Sequence, residues 1–549
     1  MFFKFLIFLS SLALAVDPKT VFDSNGISLW EKIEELERQL LDTGTLSGLV
    51  NPCASNSFAD PNEGRQTSAE WVRIVFHDAI TKGIAGPGLG GLDASVSFES
   101  ERAENAGGKQ FINVTIAQFN VFQSVYFSMA DLIGVGLITS LATCDGTHKL
   151  LPLRMGRIDA TGPGPAGVPG PADTLAFSLA AFNRAGFSQA EMIQSIACGH
   201  SLGGVHGKNF PDIGGPFRPD SGPDPANLDP TNTFGRKAFG TTPAAFDHLG
   251  IAEYLDGTGL KGGPLVVGLN DTENSDKRIF KSDGNVTMNA LRSATAFRNT
   301  CFTVFDKMVN TVPAAVTLSD PVVVRPWTML ESQLDLTSTG TVNFTGKIAA
   351  HGTPAPPSFA TYQYGTTGGG NTGSRTSQVG VVQPGFTFGG GQPAPTDSLY
   401  IGLGVIKHYP FWDALFEPVN SVSITTSGST YTGDINVGIF VIPSMSFFQG
   451  TDIMLRVAVL SSLTTSSSVI NVIAWSRVAQ TNSLAFRIIS TTQTLTFEKT
   501  VGSYKIYKTT LFSGLASPIF QASLGTNKSS KVKGQVFKTP CTAASIGLC

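Results

Sequence analysis

The 549-residue chain is poor in charge, since only 14% of its residues are Asp, Glu, Lys or Arg and its net charge is -3. Without a basic excess, it has no electrostatic footprint for nucleic acid. Beyond the first fifteen residues, no apolar run reaches the ~18 to 20 residues of a membrane span, and the last residues, SIGLC, are not the hydrophobic tail of a lipid-anchor signal. Its six cysteines lack zinc-finger spacing. We therefore expect no nucleic-acid partner and no membrane span.

The first fifteen residues, MFFKFLIFLSSLALA, combine a lysine, an apolar run and the small-residue pattern Ala13-Leu14-Ala15. This pattern is typical of a secretory signal peptide with its cleavage site, so we expect residues 1–15 to be removed and the mature protein to be secreted. Triplets of the form Asn-x-Ser/Thr fit a glycosylated extracellular protein. They begin at Asn113, Asn270, Asn285, Asn343 and Asn527.

The length exceeds the size at which one hydrophobic core keeps growing, and the composition changes along the chain. In the first part, apolar residues recur at helical spacing. In the second part, Ser, Thr, Val and Ile alternate in short runs broken by Gly and Pro. We predict a mainly α domain at 16–315 and an all-β, sandwich- or barrel-like domain at 325–549. The clearest helical segments are 119–136, 174–186 and 190–204.

The stretch WVRIVFHD at 71–78 follows Thr67 and Glu70, whose spacing matches a capping box. This pattern predicts a helix, on which Arg73 and His77 share one face because they are four residues apart. One interpretation is an amphipathic helix whose polar stripe meets solvent. The other is a pair of functional side chains that point into one site.

Three later stretches add chemistry to this helix. Asp78 and the run GGLDAS at 90–95 supply the hard oxygen donors that Ca²⁺ prefers. A second histidine lies in ACGHSLGG at 197–204, where a lone histidine is usually a core residue. The triplet Lys-Ser-Asp at 281–283 places a carboxylate after an apolar pair.

Taken in this order, the motifs resemble those of the secreted fungal, class II-like heme peroxidases of the plant, fungal and bacterial peroxidase superfamily. The resemblance covers about Leu46 to Val309. It implies a helical peroxidase fold, a heme b cofactor, and an oxidoreductase that uses hydrogen peroxide. The motifs are R-x-x-F-H-D, G-x-D-x-S, Met-Ala-Asp-Leu at 129–132, Gly-Arg-x-Asp at 156–159, Pro-Ala-Asp-Thr at 171–174, G-H-S-L-G and a later S-D.

The resemblance implies a role for each catalytic residue. His200 is the expected axial ligand of the heme iron and would donate its other N–H to Asp283. His77 would take a proton from peroxide and return it to the departing oxygen. Arg73 would stabilise the charge on that oxygen. Asn105 would accept a hydrogen bond from His77 and keep its other nitrogen basic.

Phe76 and Phe239 match the aromatic residues that pack on the two heme faces, although ordinary core packing is an alternative for both. Because residue 239 is Phe and not Trp, the resemblance implies that the oxidising equivalent resides on the porphyrin. It also implies a disulfide between Cys53 and Cys144.

The expected calcium ligands also follow from the resemblance. On the distal side they are Asp78, Gly91, Asp93 and Ser95. A second, proximal calcium is left open, because Gly240 stands where the family has an aspartate and affinity depends on ligand charge. The matching proximal positions are Ser201, Thr242 and Asp247.

The remaining cysteines were interpreted from their positions. Cys198 precedes the expected axial histidine by two residues and is predicted to be a buried free thiol. Cys301 is predicted to pair with Cys541 or Cys549.

The expected electron donors are small phenols and dyes that react at the heme edge. Manganese-oxidising relatives use three acidic residues near a heme propionate, where this chain has Gln66, Glu70 and His206. Lignin-attacking relatives carry a surface Trp where this chain has Ser195. A manganese- or lignin-type peroxidase remains the alternative.

A second alternative is a cell-wall or matrix-binding protein with a vestigial peroxidase domain. The β domain would then bind extracellular polysaccharide. Its Trp327, Trp412 and Trp475 are interpreted either as core residues or as sugar-stacking platforms.

Overall fold

The computed structural model describes most of the chain after residue 16. The expected signal peptide, Cys541 and Cys549 lie outside the described residues. Within those residues, no helix combines the length and the apolar character needed to span a bilayer. The described residues are 17–42, 53, 65–147, 150–207, 209–214, 236–352, 354–366, 370, 372–382, 403–415, 419–426, 429–449, 452–511, 516–534 and 537.

The described residues up to 309 are mainly helical, as predicted. A short antiparallel ribbon of β1 (Gly204–His206) and β2 (Arg236–Ala238) follows the seventh helix. The helices are α1 (Leu29–Leu41), α2 (Thr67–Ala79), α3 (Gly108–Phe111), α4 (Asn113–Phe119), α5 (Met129–Cys144), α6 (Leu175–Arg184), α7 (Gln189–Gly199), α8 (Pro211–Gly214), α9 (Leu249–Asp256), α10 (Pro264–Val267), α11 (Ser275–Phe280), α12 (Val286–Ala290) and α13 (Ala294–Val309).

Helix α2 begins at Thr67, but the predicted capping box is wrong. Its N-cap residue, Gln66, makes no side-chain cap bond. Glu70 is turned toward Arg65 instead, whose Nε donates to Glu70 Oε1 over 2.6 Å. A charge-assisted bond to a guanidinium is stronger than a bond to a backbone N–H, so the ion pair takes this carboxylate.

The segment 119–136 is not one helix. α4 ends at Phe119, a 3₁₀ turn follows, and α5 begins only at Met129. Two oxygens fix this start, because Ser128 Oγ caps the helix and the Asp159 carboxylate accepts the N–H of Met129 over 2.8 Å. The Gly-Arg-x-Asp motif therefore positions α5.

The second part of the chain forms antiparallel sheets. One pair of sheets has the orders β3-β4-β8-β7 and β10-β9-β5-β6; the other has β11-β13-β17-β16, with β12 beside β13, and β15-β14-β18-β19, with β20 beside β18. The strands are β3 (Trp327–Leu336), β4 (Val342–Gly352), β5 (Phe359–Thr366), β6 (Arg375–Gln378), β7 (Val381–Val382), β8 (Val405–Leu415), β9 (Val419–Thr426), β10 (Ser429–Asp434), β11 (Ile439–Val441), β12 (Phe447–Gln449), β13 (Asp452–Leu460), β14 (Ile470–Gln480), β15 (Ser483–Thr494), β16 (Thr496–Val501), β17 (Tyr504–Leu511), β18 (Ala516–Leu524), β19 (Asn527–Lys528) and β20 (Val532–Lys533).

Each pair of sheets shares a core. Phe344 on β4 and Tyr364 on β5 belong to one buried cluster. Val457 on β13 and Val472 on β14 belong to another. The alternation of apolar and polar residues in these strands places one face of each sheet inward.

The helical and β regions are in direct contact through α1. The carbonyl of Leu41 accepts from His408 Nε2 over 2.7 Å. Lys347 Nζ lies 2.7 Å from Asp42 Oδ1, and Arg325 pairs with Glu37. Acidic side chains of α1 and its C-cap therefore meet basic side chains of the β region and the connection before it.

Two disulfides join parts of the helical region. Cys53 and Cys144 are bonded, as expected from the resemblance, with Cα atoms 5.6 Å apart. The free-thiol prediction for Cys198 is wrong, because Cys198 is bonded to Cys301 with Cα atoms 5.5 Å apart. The prediction that Cys301 pairs near the C-terminus is wrong for the same reason. Packing of α7 against α13 brings these two fully buried sulfurs together.

Candidate active site

Helix α2 carries the first two candidate side chains. One side of the helix is enclosed in the core, where Trp71, Ile74 and Val75 are fully buried. Arg73 and His77, one turn apart, line a cavity. Core packing of α2 therefore fixes the direction in which the two polar side chains point.

His77 has an amide partner. Its Nδ1 lies 2.6 Å from Asn105 Oδ1, and Asn105 Nδ2 donates to the carbonyl of Glu99 over 2.9 Å. A carbonyl oxygen only accepts, so His77 carries its proton on Nδ1 and keeps Nε2 as the basic nitrogen. Burial and then the charge of Arg73 lower the pKa of His77 to about 3. The ring is therefore neutral at ordinary pH.

Arg73 is a fixed cation beside this base. Its Nε lies 3.3 Å from His77 Nε2, and its guanidinium carbon lies 3.9 Å from the centre of the Phe111 ring. Burial lowers the pKa of Arg73 to about 10, which still leaves the side chain charged at neutral pH. Phe111 was not identified from the sequence, because no motif marks an aromatic residue that supports a guanidinium.

The second histidine has a carboxylate partner. His200 is the C-cap residue of α7, a helix that begins with a capping box of Ser188 and Glu191. His200 Nδ1 lies 2.6 Å from Oδ2 of Asp276, which is buried at the start of α11. This hydrogen bond leaves Nε2 as the ring nitrogen that is available to a ligand in the cavity.

The prediction that Asp283 is the partner of His200 is wrong. Asp283 Oδ2 accepts from the backbone N and the hydroxyl of Thr287, over 2.9 Å and 2.6 Å, at the start of α12. The dipeptide Ser-Asp occurs three times, and two copies lie in the helical region before residue 309, at 275–276 and at 282–283. The carboxylate that reaches His200 belongs to the first copy, a choice that the dipeptide itself does not reveal.

Two phenylalanines stand beside the histidines. The Phe239 ring is stacked on the His200 ring, with centroids 4.3 Å apart and planes 12° from parallel. The Phe76 ring lies edge-on to His77, with centroids 5.7 Å apart, and is stacked on Phe182. Phe76 and Phe239, the residues expected at the cofactor faces, thus both line the cavity.

A cavity of about 360 Å³ lies between the two histidines. Arg73 and His77 line it on the α2 side, and His200 and Asp276 line it on the α7 and α11 side. Apolar side chains form much of the remaining wall. They include Val72, Phe182, Leu202, Leu265, Ile279 and Met308. The result is a largely apolar slot between two imidazoles that have different hydrogen-bond partners.

A comparison with protein families agrees with this arrangement. Residues 54–325 match the family model described as "Peroxidase". This part of the chain is therefore similar to the peroxidase family. It contains both histidines, both of their partners and the cavity, and we call residues 54–325 the peroxidase region below.

Two curated relatives match the chain. A "WSC domain-containing protein" of Arthroderma benhamiae is 39% identical over 338 residues, which are 59% of this chain and 43% of that protein. A "Putative L-ascorbate peroxidase 6" of Arabidopsis thaliana is 34% identical over 134 residues, which are 24% of this chain and 40% of that protein. The chain thus spans less than half the length of either relative.

The expected distal calcium ligands lie together in the peroxidase region. The Asp78 carboxylate accepts the N–H groups of Asp93, Ala94 and Val96 and the hydroxyl of Ser95, at 2.7 to 3.2 Å. A carboxylate has about four acceptor positions, and these donors use them. Burial and the neighbouring Asp93 raise the pKa of Asp78. Asp78 thus organises the 93–96 turn, and calcium binding stays a prediction.

Gly91 approaches the backbone closely in this segment. Its φ is +109°, and a Cβ atom would lie 2.5 Å from the Thr311 carbonyl oxygen. Only glycine fits this position. The glycine therefore has a packing role that is independent of its predicted role as a calcium ligand.

The expected proximal calcium ligands are less well grouped. Thr242 Oγ1 donates to Asp247 Oδ1 over 3.0 Å, whereas the Ser201 hydroxyl donates to the Cys198 carbonyl over 2.8 Å. Among the described residues, no group of three or more His, Cys, Asp or Glu side chains has a metal-binding arrangement. A second calcium, like the first, stays a prediction.

The positions that could favour manganese are engaged by protein groups. Glu70 pairs with Arg65 and accepts the Thr115 hydroxyl over 2.5 Å. Gln66 Nε2 donates to a backbone carbonyl over 2.9 Å. Burial, reinforced by nearby arginines, lowers the pKa of His206 to about 4. Arg65 was missed from the sequence, although it changes the charge of this corner.

The position at which lignin-attacking relatives carry a surface tryptophan is buried here. Ser195 is 4% exposed and donates to the Glu191 carbonyl over 2.7 Å. A side chain at this position would therefore face the interior of the protein and not a bulky donor outside it.

Proposed function

We propose that this protein is a secreted heme peroxidase that uses hydrogen peroxide to oxidise small organic donors such as phenols and dyes. The observation that carries the proposal is the pair of histidines across one cavity, one with an amide partner and one with a buried carboxylate partner. The match of residues 54–325 to the peroxidase family supports it.

The residues present fit a heme group. His200 would hold the heme iron through Nε2, Asp276 holds the imidazole ring through Nδ1, and the apolar walls suit a flat macrocycle. Phe239 restricts the orientation of the His200 ring by stacking on it. When bound, heme would supply the redox-active iron for the reaction with peroxide. The protein controls the electron density of the ligand through the Asp276 hydrogen bond.

The distal residues manage the proton and the charge. His77 Nε2 is unprotonated, so it can accept a proton from peroxide and then deliver it to the departing oxygen. Arg73 lies next to that nitrogen and can stabilise negative charge on the same oxygen. Asn105 keeps the Nδ1 proton in place through both steps.

The donor preference follows from the cavity corner at Glu70. A manganese ion would find one carboxylate there, already neutralised by Arg65, and a largely buried imidazole at His206. Divalent manganese favours several oxygen ligands, so this set is poor. We therefore favour small organic donors over Mn²⁺, and over bulky non-phenolic aromatics that need a surface radical site.

The test is steady-state turnover by the heme-reconstituted protein with a phenol, Mn²⁺ or veratryl alcohol. We expect a Soret band and saturable turnover of the phenol only. Saturable Mn²⁺ oxidation at micromolar concentrations that is abolished by Glu70→Ala would overturn the donor assignment. Failure to bind heme would overturn the enzyme assignment and favour a matrix-binding protein with a vestigial domain.

A further inference from the structure

The described residues cover only one end of the outer face of the sheet β3-β4-β8-β7. At one end of this face, α1 and its C-cap cover Lys347 and His408, which contact Asp42 and the Leu41 carbonyl. At the other end, Trp412 on β8 is 65% exposed. An antiparallel sheet can leave one face in solvent, and here that face carries a large exposed indole ring.

Trp412 differs from the other described tryptophans. Trp71, Trp327 and Trp475 are at most 7% exposed and belong to cores. The sequence left two interpretations open for these side chains, a core residue or a platform for a sugar ring. The structure makes Trp327 and Trp475 core residues, whereas Trp412 is not one. Trp30, on α1, is partly buried beside two cationic side chains, so among the described tryptophans only Trp412 is mostly exposed.

A glycosylation triplet lies beside this ring. Asn343-Phe344-Thr345 is on β4, and the register pairs Thr345 with Trp412 and Asn343 with Ala414. Directly paired residues in antiparallel strands point to the same face, and so do residues two apart in one strand. Asn343, Thr345 and Trp412 therefore share the outer face, while Phe344 between them is 3% exposed in the core.

The distances between these positions suit an attached sugar. Side chains on diagonal positions of neighbouring strands have Cβ atoms within about 7 to 8 Å. The first sugar ring on Asn343 would therefore reach the indole. Within the described structure, no protein hydrogen bond engages the Asn343 amide, so its nitrogen is available.

We propose that Asn343 carries an N-linked glycan whose first sugar residues pack on Trp412 and cover the open half of this sheet face. The Asn343 amide nitrogen forms a bond to the anomeric carbon of a lipid-diphosphate-linked oligosaccharide. The lipid diphosphate leaves, the nitrogen loses one proton, and nothing is oxidised or reduced. The apolar side of the sugar ring then shields the indole, whose large ring makes it the main apolar surface there.

This site requires expression through a secretory pathway but no peroxidase activity. The experiment is peptide mass spectrometry of the secreted holoprotein, combined with radiolytic hydroxyl-radical labelling of Trp412. We expect Asn343 to be occupied and Trp412 labelling to rise at least twofold after an amidase removes the glycans from the folded protein.

Two variant pairs sharpen the test. Thr345→Ser keeps the triplet and should preserve protection of Trp412, whereas Thr345→Ala removes the triplet and should abolish it. Asn527→Gln removes an exposed triplet on β19 and should leave Trp412 labelling unchanged. An unmodified Asn343 in the secreted protein would overturn the proposal. Equal Trp412 labelling before and after enzymatic deglycosylation would also overturn it, whether or not the variants fold.

Discussion

The two sides of the cavity use the same side chain for different purposes. His77 meets the neutral amide of Asn105 and the cation Arg73, and its pKa falls to about 3. His200 meets the carboxylate of Asp276. An amide acceptor fixes the tautomer without adding charge, whereas a carboxylate makes the ring more electron-rich. The proposed base and the proposed metal ligand thus differ in their partners and not in their residue type.

Replacement of His200, the proposed metal ligand, should change the properties of the protein more than any other substitution at the two histidines or their partners. His200→Ala should abolish native axial ligation, because no described side chain lies in its place. Absorption and magnetic circular dichroism spectra of the reconstituted protein would show this, and added imidazole should restore part of the native spectrum. His206→Ala, another histidine of the cavity wall, is the control and should keep it. A native spectrum in His200→Ala would refute the assignment.

Loss of the distal base should be nearly as severe but should leave ligation intact. We expect His77→Leu to bind heme with a native proximal spectrum and to react with hydrogen peroxide about 10² to 10⁴ times more slowly, the usual contribution of general acid-base catalysis. Stopped-flow absorbance measures this rate. Near-normal reaction would show that another group moves the proton.

Replacement of either carboxylate by an amide tests which of the two aspartates, Asp276 or Asp283, supports His200. Asp276→Asn should lower peroxidase activity by about 10- to 100-fold and raise the reduction potential, because the partner of His200 loses its charge. Asp283→Asn is the matched control and should change neither, since Asp283 contacts Thr287. Spectroelectrochemistry gives the potential. A larger shift in Asp283→Asn would restore the partner first predicted from the sequence.

Removal of the amide acceptor should have a moderate effect. The Asn105 hydrogen bond raises the pKa of His77 against burial. Asn105→Val should therefore weaken the base and reduce the peroxide rate by about tenfold, equivalent to one hydrogen bond of ~1.4 kcal/mol. His77→Leu/Asn105→Val is the control: no further loss beyond His77→Leu would show that Asn105 acts through His77. An additive loss would contradict this pathway.

The smallest expected effect is that of pH. With the pKa of His77 lowered to about 3, the base form is complete above pH ~4 and is lost as pH falls through about 3. The peroxide rate of the wild-type protein should therefore vary by less than about twofold between pH 4.5 and pH 8. Stopped-flow rates over this range test it. An apparent pKa near 6.5 would mean that burial does not depress the imidazole.

The sequence predicted the distal pair better than the proximal pair. Arg73 and His77 lie in one helix, so their spacing alone places them together. His200 and Asp276 come from different helices and are 76 residues apart. Two of the three Ser-Asp dipeptides lie in the helical region, and neither composition nor local periodicity distinguished these two candidates.

The cysteines and Glu70 show the same limit. Cys198 meets Cys301 only because α7 lies against α13, over a sequence separation of 103 residues. Glu70 has the spacing of a capping box with Thr67, yet an arginine five residues before it binds its carboxylate. A local pattern identifies the possible partners that are near in sequence. It does not show whether a stronger partner lies close by in the folded protein.

By itself, the sequence determined the helical and β parts, the i, i+4 pair on α2 and the histidine at the end of α7, because these depend on periodicity and local spacing. The tertiary structure decided which carboxylate supports His200, which thiol binds Cys198 and which tryptophan stays exposed beside Asn343. Each of those outcomes depends on the packing of elements that are distant in the chain. The relative positions of such elements follow from burial of the whole core and not from any one segment.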